Sequence, residues 1–148
     1  MQFGKIFHLG VVVRDLEKAV KIYKEEMGYG PFEMGDGEFF ADKMINGKIG
    51  AGLPMETATY RGDGYEIELI EPKGPSVYQD FLEKHGPGVH HVILKTEESY
   101  EDVLAMAQKV SGRKPALEVK FPDGTPIVAY ADMKEEAGIL LEIGNGGC

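Results

Sequence analysis

Gly88-Val89-His90-His91-Val92-Ile93-Leu94 decides the fold, because the chain carries a counterpart near its start, Ile6-Phe7-His8-Leu9-Gly10-Val11-Val12-Val13. Each is a short apolar run, rich in β-branched residues, with a histidine just inside its beginning. Runs of this length and type read as buried strands. Each is followed by an acidic opening to an amphipathic helical pattern. One histidine on one strand binds little. Two on equivalent strands of a repeated unit can face one ion.

Working outward from the first copy, residues 5–13 read as a strand. Asp15 sits at an N-cap position, and Leu16, Val20, Tyr23 and Met27 recur at helical spacing on one face. Gly28 suits a left-handed C-cap, and Gly30-Pro31 prevents the helix from resuming. Residues 32–41 surround the turn signal Gly35-Asp36-Gly37 and read as a bulged strand or a tight hairpin. Asn46-Gly47 is a two-residue turn signal. A short strand through Lys48–Leu53 is expected after it, and Pro54 to Asp63 reads as loop. Residues 65–71, Tyr65-Glu66-Ile67-Glu68-Leu69-Ile70-Glu71, read as a strand ending at Pro72.

Lys73-Gly74-Pro75 opens a connection. Ser76 and Gln79 form a capping box for a short helix with Val77, Phe81 and Leu82 inward, stopped by Gly86-Pro87-Gly88. The pattern then repeats. A strand over 89–95 precedes a helix capped by Thr96 or Ser99, with Tyr100, Val103, Leu104, Ala107 and Val110 in one stripe, ending at Ser111-Gly112. Strands follow over Leu117–Phe121, Pro126–Asp132 and Gly138–Ile143, with a turn at Pro122-Asp123-Gly124. Gly144-Asn145-Gly146-Gly147 reads as a flexible tail. The sequence therefore describes an α+β fold of two paired β-α-β-β-β units. The first covers about 5–72, a helical linker 73–87, and the second about 88–148. Neither reads as a complete core, so the two pack together as one domain.

Composition narrows the function. With 148 residues, 43% apolar and 28% charged, the chain is globular. Its net charge of −9 argues against nucleic acid, which needs a basic face. Cys148 is the only cysteine, so an internal disulfide is impossible. No run approaches the roughly 18 apolar residues of a membrane span, and no signal-peptide pattern precedes Arg14 and Asp15. Cytoplasmic residence and the absence of a membrane role are the expectations. The 20 glycines suit hairpins and a cavity where backbone approaches a ligand.

Four residues fall on equivalent elements of the repeat. His8 and His91 lie on the first strand of each unit. Glu68 and Glu142 lie on the last, in Ile67-Glu68-Leu69 and Leu141-Glu142-Ile143. A carboxylate inside an apolar run is costly unless partnered, and a metal ion would stabilise both together. Two imidazoles and two carboxylates suit Zn, Ni, Co, Fe or Mn more than Ca. Adjacent strand residues point to opposite faces, so matching Phe7-His8-Leu9 to His90-His91-Val92 selects His91 and leaves His90 as a rim or hydrogen-bonding residue. His85, near a helix end, is expected in solvent. Glu66 and Glu71 compete with Glu68 as solvent-face charges.

These pieces resemble the vicinal oxygen chelate superfamily, which includes glyoxalases, bleomycin resistance proteins and dioxygenases. Carrying the resemblance are Phe7–Val13 with Asp15-Leu16-Glu17-Lys18-Ala19, Ile67–Pro72, Gly88–Val92 and Gly138–Glu142. Within it, the linker from Gly74 to Gly86 leading into His90-His91 is most similar to methylmalonyl-CoA epimerases. The resemblance implies two β-α-β-β-β modules curled as an open mixed sheet around a divalent ion (Co, Ni, Zn or Mn). It implies His8, Glu68, His91 and Glu142 as ligands. It also implies a small carbonyl or acyl-thioester substrate, and a homodimer. The metal would stabilise an enediolate-type oxyanion while a carboxylate, Glu68 or Glu142, moves the adjacent C–H proton. Epimerases of this kind carry a base on the strand occupied here by Gly50-Ala51-Gly52, where there is none. Glu38 or Asp42 is one substitute. The other is Glu68 leaving the metal, as in glyoxalase I, whose ligand set this chain shares. Arg14, Lys43, Lys48 and Arg61 are candidates for a CoA phosphate, or plain surface charges. The function expected is therefore a metal-dependent epimerase or isomerase acting on an acyl-CoA such as methylmalonyl-CoA. The alternatives are a glyoxalase I-type lactoylglutathione lyase, a metal-free small-molecule-binding protein, or an Fe(II) dioxygenase.

Overall fold

The computed structural model describes residues 1–144. Asn145–Gly147 of the expected tail, and Cys148, lie outside the described residues, while Gly144 closes the last strand. β1 (Phe3–Val12) leads into α1 (Leu16–Glu25), then β2 (Glu33–Asp36), β3 (Met44–Ile45), β4 (Lys48–Ile49), β5 (Met55–Arg61) and β6 (Glu66–Pro72). α2 (Val77–His85) connects to β7 (Gly88–Thr96), α3 (Tyr100–Ser111), β8 (Leu117–Lys120), β9 (Pro126–Met133), the single turn α4 (Lys134–Ala137) and β10 (Ile139–Gly144). Among the described residues, no helix is long and apolar enough to cross a membrane.

All ten strands join one mixed sheet in the order β2-β5-β6-β1-β7-β10-β9-β8-β3-β4. β1 pairs antiparallel with β7 at the centre, and each has a parallel neighbour on its other side, β6 and β10. The order outward from the centre is thus the same in both halves. β2 and β3 lie near opposite ends of the sheet yet are joined by residues 37–43 only. In a flat sheet the eight strand spacings from β2 to β3 would cover about 38 Å. The connecting chain reaches at most about 28 Å. The sheet therefore curls, with its two edges left unpaired to one another.

Helices cover the convex side. α1 lays Leu16 on Val13, Ala58, Ile67 and Leu69. α3 lays Tyr100, Val103 and Ala107 on Ala129, Ala131, Met133, Leu141 and Ile143. α2 packs on the concave side instead, where Tyr78 joins Val12, Ile70, Leu117, Tyr130 and Leu140. The curl is thus filled by apolar residues near α2.

The expected N-caps hold for α1, α2 and α3, and α2 and α3 end at Gly86 and Gly112, whereas α1 is capped by Glu26 in the right-handed region and not by Gly28. The side chains of Asp15, Ser76 and Ser99 accept from the backbone N–H of Lys18, Gln79 and Asp102, at 3.0, 3.2 and 3.1 Å. The capping box at Ser76 is half made, because the Gln79 amide donates to Glu83 instead. α1 ends at Glu25, so Met27 falls beyond it and is exposed. Val110 of α3 is likewise exposed. Asn46-Gly47 does turn a hairpin, with both residues at positive φ.

Three expectations in the first half need correcting. Residues 32–41 form only the short β2, and Glu38–Phe40 form a 3-10 turn. The strand expected through Lys48–Leu53 stops at Ile49, since Gly50 and Gly52 both take left-handed φ values, +91° and +68°. The loop expected over Pro54–Asp63 is largely the seven-residue β5. β5 pairs on both sides, with β2 and β6, and Thr57 and Ala58 are buried on its opposite faces. Small Thr and Ala side chains fit beneath neighbouring elements there, and their modest hydrophobicity hid the strand.

Candidate metal centre

The structure brings His8, Glu68, His91 and Glu142 together from four adjacent strands, β6, β1, β7 and β10. His8 Nε2 lies 3.4 Å from Glu68 Oε1 and 3.8 Å from Glu142 Oε2. His91 Nε2 lies 3.8 Å from Glu68 Oε1 and 3.1 Å from Glu142 Oε2. The two imidazoles stack, with centroids 5.3 Å apart. Ligand atoms of His8, Glu68 and His91 all fall within 4.8 Å of one another, a grouping that could hold a metal ion.

Whether these residues fit a divalent ion can be judged from their hydrogen bonding. Both Nε2 atoms are buried and neither makes a hydrogen bond. The nearby carboxylates are too distant or misaligned to provide one. Buried polar atoms normally find partners, so two that share a focus with two carboxylate oxygens have the form of an ion's coordination shell. The mixed N/O donor set suits borderline transition ions. The residues fit.

Gly10 makes the convergence possible. It pairs in register with Glu68 on one side and His91 on the other. A Cβ there would lie 2.0 Å from a carbon of the His91 ring. Only glycine lets that imidazole lie across β1.

The opposite-face expectation for His90 fails for a local reason. The β1–β7 register shifts between Gly10↔His91 and Val11↔Val89, a bulge centred on His90. A bulge re-aims side chains, and here both histidines turn to the concave side. His90 is buried rather than on a rim. It packs edge-on against Tyr78 and Phe81 of α2 and against Tyr130. Its Nδ1 lies 2.9 Å from His91 Nδ1.

His8 is held through its other nitrogen too. Its Nδ1 lies 2.6 Å from Glu66 Oε1, and Arg61 Nη1 donates to Glu66 Oε2 at 2.7 Å. Glu66 is therefore not a solvent-face charge. The i, i+2 spacing to Glu68 was the signal that could have placed it on the same face.

Charges follow from these contacts. Burial disfavours the charged form of His8, but the close Glu68 carboxylate, the charge on Glu142 and the Glu66 contact outweigh it and raise its pKa to about 9. Burial likewise favours the neutral form of Glu142, yet the His91 and His8 rings hold its pKa below the ordinary value. His90 is pushed down to about 3, first by burial and then by His91 and Lys134, so it stays neutral.

Other candidates lie elsewhere. Asp42 pairs with Lys43 and its side chain is 83% exposed. Glu38 is exposed on its 3-10 turn. His85 is exposed, with its ring against Phe81. Lys43, grouped above with possible surface charges, is buried: its ammonium contacts Asp42 and the Phe39 carbonyl and sits over the Phe39 ring. Arg61 is the basic residue tied to the site, through Glu66.

No curated protein matches the chain by sequence. Solved structures do match by fold. A methylmalonyl-CoA epimerase in complex with methylmalonyl-CoA and ammonium is 21% identical with a TM-score of 0.66, over 95% of this chain and 93% of the other. A Streptomyces coelicolor methylmalonyl-CoA epimerase variant, in complex with 2-nitronate-propionyl-CoA, is 22% identical with a TM-score of 0.65, over 99% and 100%. The Mycobacterium tuberculosis methylmalonyl-CoA epimerase is 18% identical with a TM-score of 0.64, over 97% and 88%. A family model matches residues 7–116, reaching from the residue before His8 to the one before β8. The chain belongs to the glyoxalase/bleomycin resistance protein/dioxygenase superfamily.

Proposed function

We propose that the protein is a metal-dependent isomerase or epimerase that removes and returns the proton beside a chelated carbonyl, with an acyl-CoA such as methylmalonyl-CoA as substrate. The observation that carries this reading is the pair of buried, unbonded Nε2 atoms facing two carboxylate oxygens. His8, Glu68, His91 and Glu142 are the ligands in this reading. A divalent ion there supplies Lewis acidity that stabilises negative charge developing on a carbonyl oxygen.

The chain's own groups divide the remaining work. Glu142, tied to both rings and held ionised, is an anchor. Glu68 has the more exposed side chain of the two, 24% against 17%. Its carboxylate takes the proton from the carbon next to the carbonyl and returns it. The acyl-thioester assignment draws on the resemblance and on the acyl-CoA ligands of the similar structures. A cytoplasmic homodimer is part of the same reading, and sedimentation tests the assembly.

The deciding experiment strips the metal, restores Co or Mn, and follows deuterium uptake at the α-carbon of methylmalonyl-CoA. Metal-dependent exchange is expected. Exchange no faster than background removes this substrate. One observation favours a second reading. Neither Asp42 nor Glu38 turns inward, and Glu66 is engaged by His8 and Arg61, which among the described residues leaves the candidate ligand carboxylates as base. A glyoxalase I-type isomerase works with that arrangement. Thioester formation from methylglyoxal and a thiol, with Ni or Zn, would transfer the assignment to it. A protein purified without stoichiometric metal would instead favour the metal-free binding reading.

A further inference from the structure

The two candidate ligand imidazoles are built alike at Nε2 and differently at Nδ1. His8 Nδ1 meets a carboxylate, Glu66, itself tied by Arg61. His91 Nδ1 meets a second imidazole, His90. From this contrast we propose that His90 is the positioning residue of His91, holding the ring in the tautomer whose Nε2 carries no proton. The proposal rests on the reading that the site takes a divalent ion.

The argument is one of proton placement. A ligating Nε2 must offer its lone pair, so the ring's single proton sits on Nδ1 and needs an acceptor. Among the described residues the polar atom hydrogen-bonded to His91 Nδ1 is His90 Nδ1, at 2.9 Å. His90 must then accept there and carry its own proton on Nε2. The surroundings support that assignment. The His90 ring is enclosed edge-on by Tyr78, Phe81 and Tyr130, with centroids 5.3, 5.0 and 5.5 Å away. The Tyr78 and Tyr130 hydroxyls are bonded to each other at 2.7 Å, which engages one of their two protons away from His90.

The geometry has two causes in the chain. The bulge in β7 brings His90 to the concave side, where an unbulged strand would turn it away. α2 then packs Tyr78 and Phe81 against it, so the helix between the two halves sets the angle of a ligand in the second half. His91 is confined on a further side by Tyr130, whose ring stacks at 4.6 Å. A neutral imidazole also pulls less on the shared proton than a carboxylate does. His91 therefore has the weaker outer partner of the two, and the site is unequal across its middle.

Three proteins test this: wild type, H90N and H90L. The Asn amide oxygen occupies nearly the place of His Nδ1 and can accept, whereas Leu fills space and cannot. Each is loaded with Co(II), its affinity is measured by competition, and its exchangeable hyperfine-shifted N–H protons are counted by NMR. Wild type should show two such protons, one from each ligating ring. H90L should bind Co(II) about 10- to 100-fold more weakly and lose one signal to water exchange. H90N should stay within about threefold of wild type and keep both. Equal affinity and two signals in H90L would overturn the inference, as would a single signal in wild type. Should H90L fail to fold, the wild-type count and H90N still decide. A wild type that binds no Co(II) overturns the metal reading and this inference with it. A wild type that binds it, beside an H90L of equal affinity that keeps two signals, overturns this inference alone.

Discussion

Replacing Gly10 by alanine adds one methyl group and changes no candidate ligand, yet it should empty the site. The added Cβ would sit 2.0 Å from the His91 ring, and ordinary contact begins near 3.4 Å. The ring must therefore retreat by about 1.4 Å, where a coordination distance tolerates roughly 0.2 Å. It has nowhere to go within its slot. Tyr130 stacks on it, His90 contacts Nδ1, and its side chain is fully buried. The ring has to rotate out, breaking its approach to Glu142. Metal affinity should fall by more than the 10- to 100-fold that loss of an outer partner costs. Overpacking should destabilise the fold by about 1–3 kcal/mol. Titration calorimetry with Co(II) and urea denaturation of Gly10→Ala, His91→Ala and the double variant separate the two effects. If the ring is the obstacle, Gly10→Ala in the His91→Ala background should cost less than about 0.5 kcal/mol, because the clash is gone. Wild-type affinity in Gly10→Ala, or a destabilisation undiminished in the double variant, would refute the reasoning.

Glu68→Gln keeps a ligand oxygen and loses a proton acceptor. It should retain metal within about tenfold while α-proton exchange falls by at least the factor of 100 assigned to a general base, read by NMR of the substrate in D2O. Glu66→Gln leaves His8 with a weaker partner and frees Arg61, and should weaken metal binding about 10- to 100-fold by the same competition assay. His8 supplies a pH dependence. In the metal-free protein its pKa of about 9 lies above the ordinary 6.5, so its stabilising contacts are complete below about 6.5 and are lost as pH rises through 9. Thermal melts of metal-free protein should fall between pH 7 and pH 9.5. Metal uptake at pH 7.5 should release about one proton, measured as a buffer-dependent calorimetric enthalpy.

The strand-and-helix repeat was legible because each copy obeys a simple periodicity. The convergence of the candidate site residues was legible because equivalent strands carry equivalent residues: His8 and His91, Glu68 and Glu142. What escaped was decided by contacts distant in sequence. β5 is written in Thr, Ala and Tyr, and only two flanking strands and a covering helix make it interior. Lys43 looks like any surface lysine until Phe39 and Asp42 enclose it. The bulge at His90 is the sharpest case. Strand parity turns His90 away from His91, and nothing local in Gly88-Val89-His90-His91 signals the register shift. The shift falls across the sheet at Gly10, where β1 faces His91 and then, at Val11, Val89. The same glycine admits the His91 ring. One residue without a side chain thus lies where the strand register, the ligand angle and the neighbouring imidazole meet. A sequence reading that follows only the residues carrying chemistry passes over it.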